Sequence, residues 1–280
     1  MRVAVVSNRN VPGDPERNAA DHLAWIDRAA ARGARLVVFP ELSLSGYSCK
    51  PFMRQMGMSL TGRRCRALIA AARRRGLYVA FGLPLRSRGK LYICHALAGP
   101  RGLIGHYEKV HLAGGSHGEG RVFSPGGRFK VFGVDGVSVG INICADGRHP
   151  GSSLCLAHLG AELILHPHGN VVGGLGKDPR DWTVRKRAYL GPRAADTCTY
   201  AAICNSVGSV RDKAGDLVHF SGGALVLGSD GRFVARSPSP ARRPHMVVAD
   251  LDVERLRRLR ARSCFAQRRP EVYVEALSRR

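Results

Sequence analysis

One cysteine, two glutamates and one lysine stand where this 280-residue chain could use them to break an acyl bond. Cys144 closes the run Val137, Val139, Ile141 and Ile143, whose alternation with small or polar residues reads as a strand ending at Cys144. Asp146-Gly147 is a turn signal, and Pro150 followed by Leu154, Leu156 and Leu159 reads as the first turn and apolar face of a helix. The cysteine is therefore expected on a strand-to-helix elbow, near the positive end of a helix dipole that favours a thiolate. Cleaving an acyl bond also needs a base for the thiol proton, a cation or N–H donors for the oxyanion, and an acid for the leaving nitrogen. Glu41, Lys109 and Glu119 are the candidates. Taken singly, each has a plainer explanation: a thiol filling core space, a helix cap or solvated carboxylate, a lysine on a strand surface.

The elements that must position them follow from pattern. Arg2 to Ser7 reads as a strand, and Asp14-Pro15-Glu16 opens a helix with Ala19, Leu23, Ile26 and Ala30 on one face, ended by Gly33. Leu36 to Phe39 is a doubly buried strand that delivers Glu41 at its carboxyl end, where open sheets place ligand groups. A helix over Thr61 to Arg75 and strands over Leu77–Leu83, Leu91–Ala98 and Leu103–Val110 come next, the last carrying Lys109 near its end. His111 to Gly127 is a Gly-rich loop holding Glu119. Two further strands lead to Cys144, and beyond the elbow helix Glu162 to His166 is another strand, ending in HPHGN. Val171 to Pro179 suits a mobile loop over a site. Asp181 to Thr197 reads as a helix interrupted at Gly191-Pro192, followed by a strand over Tyr200–Cys204. A hairpin runs through Gly222–Val234, a linker-like stretch through Ser237–Pro244, and a strand through His245–Leu251, before a last helix from Asp252 to Arg262. Strands and helices without a long linker argue for an α/β protein of two packed sheets sheathed by helices.

Composition narrows the function classes. No stretch approaches the length of an apolar membrane span, and the first residues are too short an apolar run for a signal peptide, so a soluble cytoplasmic protein is expected. Eight cysteines without a CxxC pair or zinc-type Cys/His spacing favour reduced thiols and no structural metal. The net charge of +23 points by itself to nucleic acid or another acidic surface. Lysine occurs at only seven positions, however, and the arginines are spread along the chain without interleaved aromatics, so nucleic-acid binding is not expected as the main function.

In chain order, FPELSLSGY (Phe39 to Tyr47), YEKVHL (Tyr107 to Leu112), EGRVFSPG (Glu119 to Gly126), ICADGRHP (Ile143 to Pro150) and RRPEVY (Arg268 to Tyr273) resemble the motifs of the nitrilase superfamily, the carbon-nitrogen hydrolases. That resemblance implies a four-layer αββα sandwich, paired into a homodimer or higher homo-oligomer, with residues 1–262 as the hydrolase domain and 263–280 as a tail packing on a partner subunit. It implies Glu41 as base and acid, Cys144 as nucleophile, Lys109 and the Ala145 N–H on the oxyanion, and Glu119 orienting substrate or Lys109, with no metal or organic cofactor. Arg148, His168 and Tyr47 are the further substrate-binding candidates. Arg148 has two readings, a clamp on a substrate carboxylate as in carbamoyl-amino-acid hydrolases, or a structural salt bridge beneath the elbow. Where the family usually continues Phe-Pro-Glu, this chain has His149-Pro150-Gly151. The string C-A-D-G-x-x-P looks more like the aliphatic amidase branch than the nitrilases proper. The expected reaction is hydrolysis of a small linear amide through a cysteine thioester, with release of ammonia. A carbamoyl amidohydrolase, a nitrilase, and a catalytically silent family member acting as a binding protein are the alternatives.

Overall fold

The computed structural model describes every residue except 115–117, 173–181, 239 and 279–280. The loop expected over Val171–Pro179 lies almost wholly outside the described residues. Two six-stranded sheets form the centre. The first comprises β1 (Arg2–Ser7), β2 (Leu36–Val38), β3 (Tyr78–Ser87), β4 (Lys90–Gly99), β5 (Gly102–Glu108) and β14 (His245–Asp250), in the order β14-β1-β2-β3-β4-β5. The second comprises β6 (Val131–Val134), β7 (Val137–Ile141), β8 (Leu163–His168), β9 (Tyr200–Asn205), β12 (Ala224–Leu227) and β13 (Phe233–Arg236), in the order β13-β12-β9-β8-β7-β6. Each sheet has three parallel strands at its heart, β1-β2-β3 in one and β7-β8-β9 in the other, with antiparallel strands outside them.

Period-two patterning explains the layering. Val3, Val5, Leu36 and Val38 point from the first sheet into the core shared with Val139, Ile141, Leu163, Leu165 and Val226 of the second. Their neighbours Ala4, Val6, Val37 and Phe39 point outward, onto Trp25, Ile26, Leu68 and Ala72 of helices α1 (Pro15–Ala31) and α2 (Arg63–Arg75). On the far side, α3 (Pro150–His158) covers Ile164, and α4 (Trp182–Thr197) covers Ala201, Ile203, Leu225 and Leu227. The result is an αββα sandwich. Ser7 ties the sheets together at one end, its Oγ donating to Asn205 O at 2.7 Å and accepting from Gly223 N at 3.0 Å.

Several expectations need correction. The strand before the nucleophile ends at Ile141, and β8 runs on to His168 through Pro167, which sits opposite Cys204. Helix α4 is not interrupted at Gly191-Pro192. Proline there removes one backbone donor, but Trp182, Leu190 and Ala194 anchor the helix on the second sheet, so packing outweighs the local preference. A two-stranded sheet of β10 (Val207–Arg211) and β11 (Leu217–Ser221) was not anticipated. Helix α5 (Val253–Ala261), N-capped by Asp252, is not the last helix. The RRPEVY segment places Pro270 and Glu271 in the first turn of α6 (Pro270–Ser278), which buries none of its residues in the chain.

Candidate active site

The carboxyl ends of the parallel strands in both sheets meet at one point. Beyond β2, Phe39 N still donates to Ala80 O, and the chain then turns sharply, with Leu42 in the left-handed region at φ 48°. The turn passes so close to β3 that a Cβ on Gly82 would lie 2.3 Å from Leu42 N, so only glycine fits there. Across the sandwich, His168 O of β8 accepts from Glu41 N at 3.3 Å. Lys109 follows β5, its N–H donating to Ile93 O and its carbonyl accepting from Gly126 N.

These anchors bring the predicted charges together. Lys109 Nζ lies 2.6 Å from Glu41 Oε1 and 2.7 Å from Glu119 Oε1, and all three residues are fully buried. Glu119, at the start of a short 3-10 turn, also accepts from Tyr47 OH at 2.9 Å and, through Oε2, from Ala113 N at 2.8 Å. Glu41 Oε2 has no hydrogen-bond partner among the described residues. Burial, the largest influence, raises the Glu41 carboxyl to about 7, with Glu119 adding to the rise while Lys109 and the Cys144 thiol oppose it. Burial works against the Lys109 ammonium, but the attraction of Glu41, then of Cys144 and Glu119, outweighs it and holds the amine above its ordinary value.

Cys144 stands at φ 46°, a conformation costly for any residue but glycine and frequent at functional elbows. It opens a single 3-10 turn, Cys144–Arg148, and α3 begins only at Pro150, so the thiol does not sit on that helix's N-terminus as expected. Nor is a resting thiolate favoured. Burial and then Glu41 push the thiol up to about 12, against the pull of Lys109 and Lys186. Asp146 does more than form a turn: it is fully buried, accepting from Ile143 N and Tyr107 OH through Oδ2 and from His111 N through Oδ1. It thereby pins the elbow to the end of β5. Asn170 Nδ2 donates to Cys144 Sγ at 3.5 Å, and Asn170 Oδ1 accepts from Trp182 Nε1 at 3.1 Å.

The thiol opens into a cavity of about 540 Å³ lined by, among others, Cys144, Ala145, Arg148, Asn170, Lys186 and Tyr189. Arg148 is exposed at this cavity and makes no ion pair among the described residues, so a salt bridge beneath the elbow is not formed there. Tyr47 and His168 do not line the cavity. Tyr47 supports Glu119 from below, in space left by Gly169, where a Cβ would meet its ring at 2.5 Å. His168 packs its buried ring edge-on against Trp182 at 5.8 Å and contributes its carbonyl to Glu41. Asn170, Lys186 and Tyr189 went unrecognised in the sequence, although the HPHGN ending of β8 carried the signal for Asn170. Among the described residues there is no group of three or more His, Cys, Asp or Glu side chains that could hold a metal ion, and no helix is long and apolar enough to cross a membrane.

A sandwich of this layering, with thiol, carboxylate and ammonium converging from both sheets, has the architecture of the nitrilase-type hydrolases. The chain belongs to the carbon-nitrogen hydrolase family, whose profile matches residues 2–261. An (R)-stereoselective amidase of a Pseudomonas species is 31% identical over 252 residues, covering 90% of this chain and 86% of its own. The omega-amidase NIT2 of Homo sapiens is 28% identical over 267 residues, covering 92% and 91%. Among solved structures, the amidase of Nesterenkonia sp. AN1, as a cysteine-to-alanine mutant, superimposes with a TM-score of 0.80 at 25% identity, covering 98% of this chain and 96% of that one. A second structure of that amidase, with a glutamate replaced by glutamine, carries acrylamide added to its active-site cysteine, at TM-score 0.77 and 27% identity, with 94% and 97% covered. The protein is thus a hydrolase of carbon-nitrogen bonds.

Proposed function

We propose that the protein hydrolyses a small linear amide through a thioester on Cys144 and releases ammonia. The observation that carries this reading is the division of labour on Glu41: Oε1 is bound to Lys109, while Oε2 is unpartnered and the carboxylate interacts with the Cys144 thiol. A base held near 7 can take a proton from a thiol at neutral pH and return it to a leaving amine. Burial and the neighbouring Glu41 carboxylate disfavour a free thiolate, so in this scheme the proton passes to Glu41 as sulfur attacks the amide carbon. Two of the three Lys109 N–H donors are used by carboxylates, which leaves one for the oxyanion alongside the Ala145 N–H. Collapse of the tetrahedral intermediate breaks the C–N bond as Glu41 protonates the nitrogen, and ammonia leaves. Glu41 then deprotonates a water that attacks the thioester, giving the carboxylic acid and restoring the thiol. Glu119 acts on Lys109 and fixes its ammonium between the two carboxylates.

The test is ammonia release from a panel of primary amides, ureido acids and nitriles, together with intact-mass detection of the acyl-enzyme. Turnover of amides with an acyl adduct on Cys144 is the expected result. Turnover that survives Cys144→Ala would remove the nucleophile from this scheme, and absence of turnover across the panel would leave the silent, binding-protein reading.

A further inference from the structure

Asn170 stands between the floor of the cavity, where Glu41, Lys109 and Glu119 are buried, and the wall that α4 supplies. It follows β8 by two residues, and one side chain clamps its backbone. Asn170 N–H donates to Asn205 Oδ1 at 2.7 Å, and Asn205 Nδ2 donates to Asn170 O at 3.1 Å. Asn205 is fully buried at the end of β9, where its own carbonyl accepts from Ser7 Oγ and its N–H donates to Gly223 O. The Asn170 side chain is oriented as strictly as its backbone. An indole N–H only donates, so the atom that Trp182 Nε1 meets at 3.1 Å is the amide oxygen, and the amide nitrogen is the end turned to Cys144 Sγ at 3.5 Å. Trp182 is 2% exposed and its ring packs over Gly223, where a Cβ would come within 2.4 Å, so the indole has little room to move. A thiol sulfur that accepts a hydrogen bond on one side aims its own hydrogen elsewhere. Glu41 is the acceptor at hand: its Oε2 has no hydrogen-bond partner among the described residues, and its carboxylate interacts with the thiol.

Resting on the amidase reading above, we infer that Asn170 is a further catalytic residue, whose amide N–H occupies the sulfur and so directs the thiol hydrogen at Glu41. Asn205 and Trp182 are the positioning residues that hold it there. As the C–S bond forms, the proton passes from sulfur to Glu41 and the carbonyl electron pair moves to oxygen. When the thioester is hydrolysed, the C–S bond breaks with its electron pair on sulfur, and Asn170 N–H bears on that charge until Glu41 returns the proton it took from water. The amide therefore serves the same atom in both halves of the reaction.

The direct readout is the infrared S–H stretching band of Cys144, isolated as the difference between each protein and its own Cys144→Ala form, at a pH above the value of about 7 at which Glu41 ionises. A thiol hydrogen bonded to a carboxylate gives a band displaced to low frequency, and the wild type is expected to show it. Asn170→Ala is expected to move the band back toward that of a free thiol. It should also slow acylation, read as single-turnover ammonia release, by about ten- to hundredfold with KM little changed. Asn170→Asp is nearly isosteric, yet should be slower than Asn170→Ala, because a carboxylate offers the sulfur an acceptor and competes with Glu41 for its proton. A side chain that only fills space gives the reverse order, which overturns the inference. A rise in KM with kcat retained in Asn170→Ala overturns it too, by assigning the amide to substrate binding. Asn205→Ala should reproduce the band shift and slow acylation of Asn170→Ala, and Asn205→Asp, which keeps the acceptor for Asn170 N–H, should recover part of both. Lower thermal stability in Asn205→Ala with band and acylation unmoved overturns its positioning role. An unmoved band in Asn170→Ala overturns the inference while sparing the amidase reading. A band that moves as expected in a protein that hydrolyses no amide sustains the orientation of the thiol and overturns the amidase reading instead.

Discussion

The floor and the wall of the cavity are built by opposite strategies. On the floor, Lys109 is locked by two carboxylates at 2.6 and 2.7 Å, and every member is fully buried, with Glu41 and Lys109 fixed by backbone bonds just past strand ends and Glu119 by its loop. On the wall, Arg148 is exposed and Lys186 is seated by ring faces and a phenol on a helix. The floor is a buried charge cluster that can tolerate almost no change of residue type; the wall carries its charge at the surface of the cavity. A family can therefore keep one and vary the other, and chemistry and selectivity separate in space.

The sharpest way to break that contrast is at the reacting atoms. Cys144→Ala and Glu41→Gln are each expected to lower kcat by about 10⁴-fold or more, measured by ammonia release, whereas wall substitutions change the ranking of substrates. Should a floor variant retain half of its activity, the division proposed between floor and wall fails.

Next in size is stability. Lys109→Met would leave Glu41 and Glu119 buried without their common counter-ion, a loss of about 3–5 kcal/mol in unfolding free energy at neutral pH. The deficit should shrink in acid, because protonated carboxylates no longer need the ammonium. In the wild type, the Glu41 carboxyl is raised from 4.5 to about 7, so its favourable contribution is complete below 4.5 and is lost as pH rises through about 7. Denaturant titrations of both proteins across that window check the sign; a deficit that grows in acid contradicts it.

A subtler effect sharpens the role of the second glutamate. The kcat/KM profile is expected to rise with pH through about 7, as Glu41 becomes a base, and not near 4.5. Glu119 is one of the charges that hold Glu41 up, so Glu119→Gln should move this acidic limb to lower pH. A limb that stays in place would confine Glu119 to holding Lys109 and the loop at Ala113.

What the sequence disclosed divides along the same line. Glu41, Lys109 and Cys144 announce themselves because each lies in a short motif at the end of an apolar run, where strand geometry dictates exposure to a site, whereas Glu119 is marked only by the EGRVFSPG motif in a Gly-rich loop. The strands of the two six-stranded sheets and helices α1, α2 and α5 were legible from period and caps. The elbow's electrostatics were not, since a dipole argument counts the helix and omits the desolvation that pushes the Cys144 thiol up to about 12. Trp182 and Lys186 were silent because their roles depend on how α4 docks on the second sheet, a tertiary fact with no local spacing. Pro192 misled in the same way: a breaker read locally is overruled by a helix face already buried.

The smallest expected effect tests whether floor and wall are joined at all. Trp182 is almost fully buried, and its indole N–H reaches Asn170, whose amide in turn contacts the sulfur. Trp182→Phe keeps an aromatic face for Lys186 and removes only that donor, a hydrogen bond with a net value of about 0.5–1.5 kcal/mol. With Asn170 free to rotate away from Cys144, kcat should fall by about two- to tenfold while KM changes little, because the Lys186 ammonium keeps a ring to rest on. Steady-state kinetics on the best amide of the panel separate the outcomes. A rise in KM alone would mean that the indole serves the wall, and an unchanged kcat would mean that Asn170 does not need the indole to stay against the nucleophile.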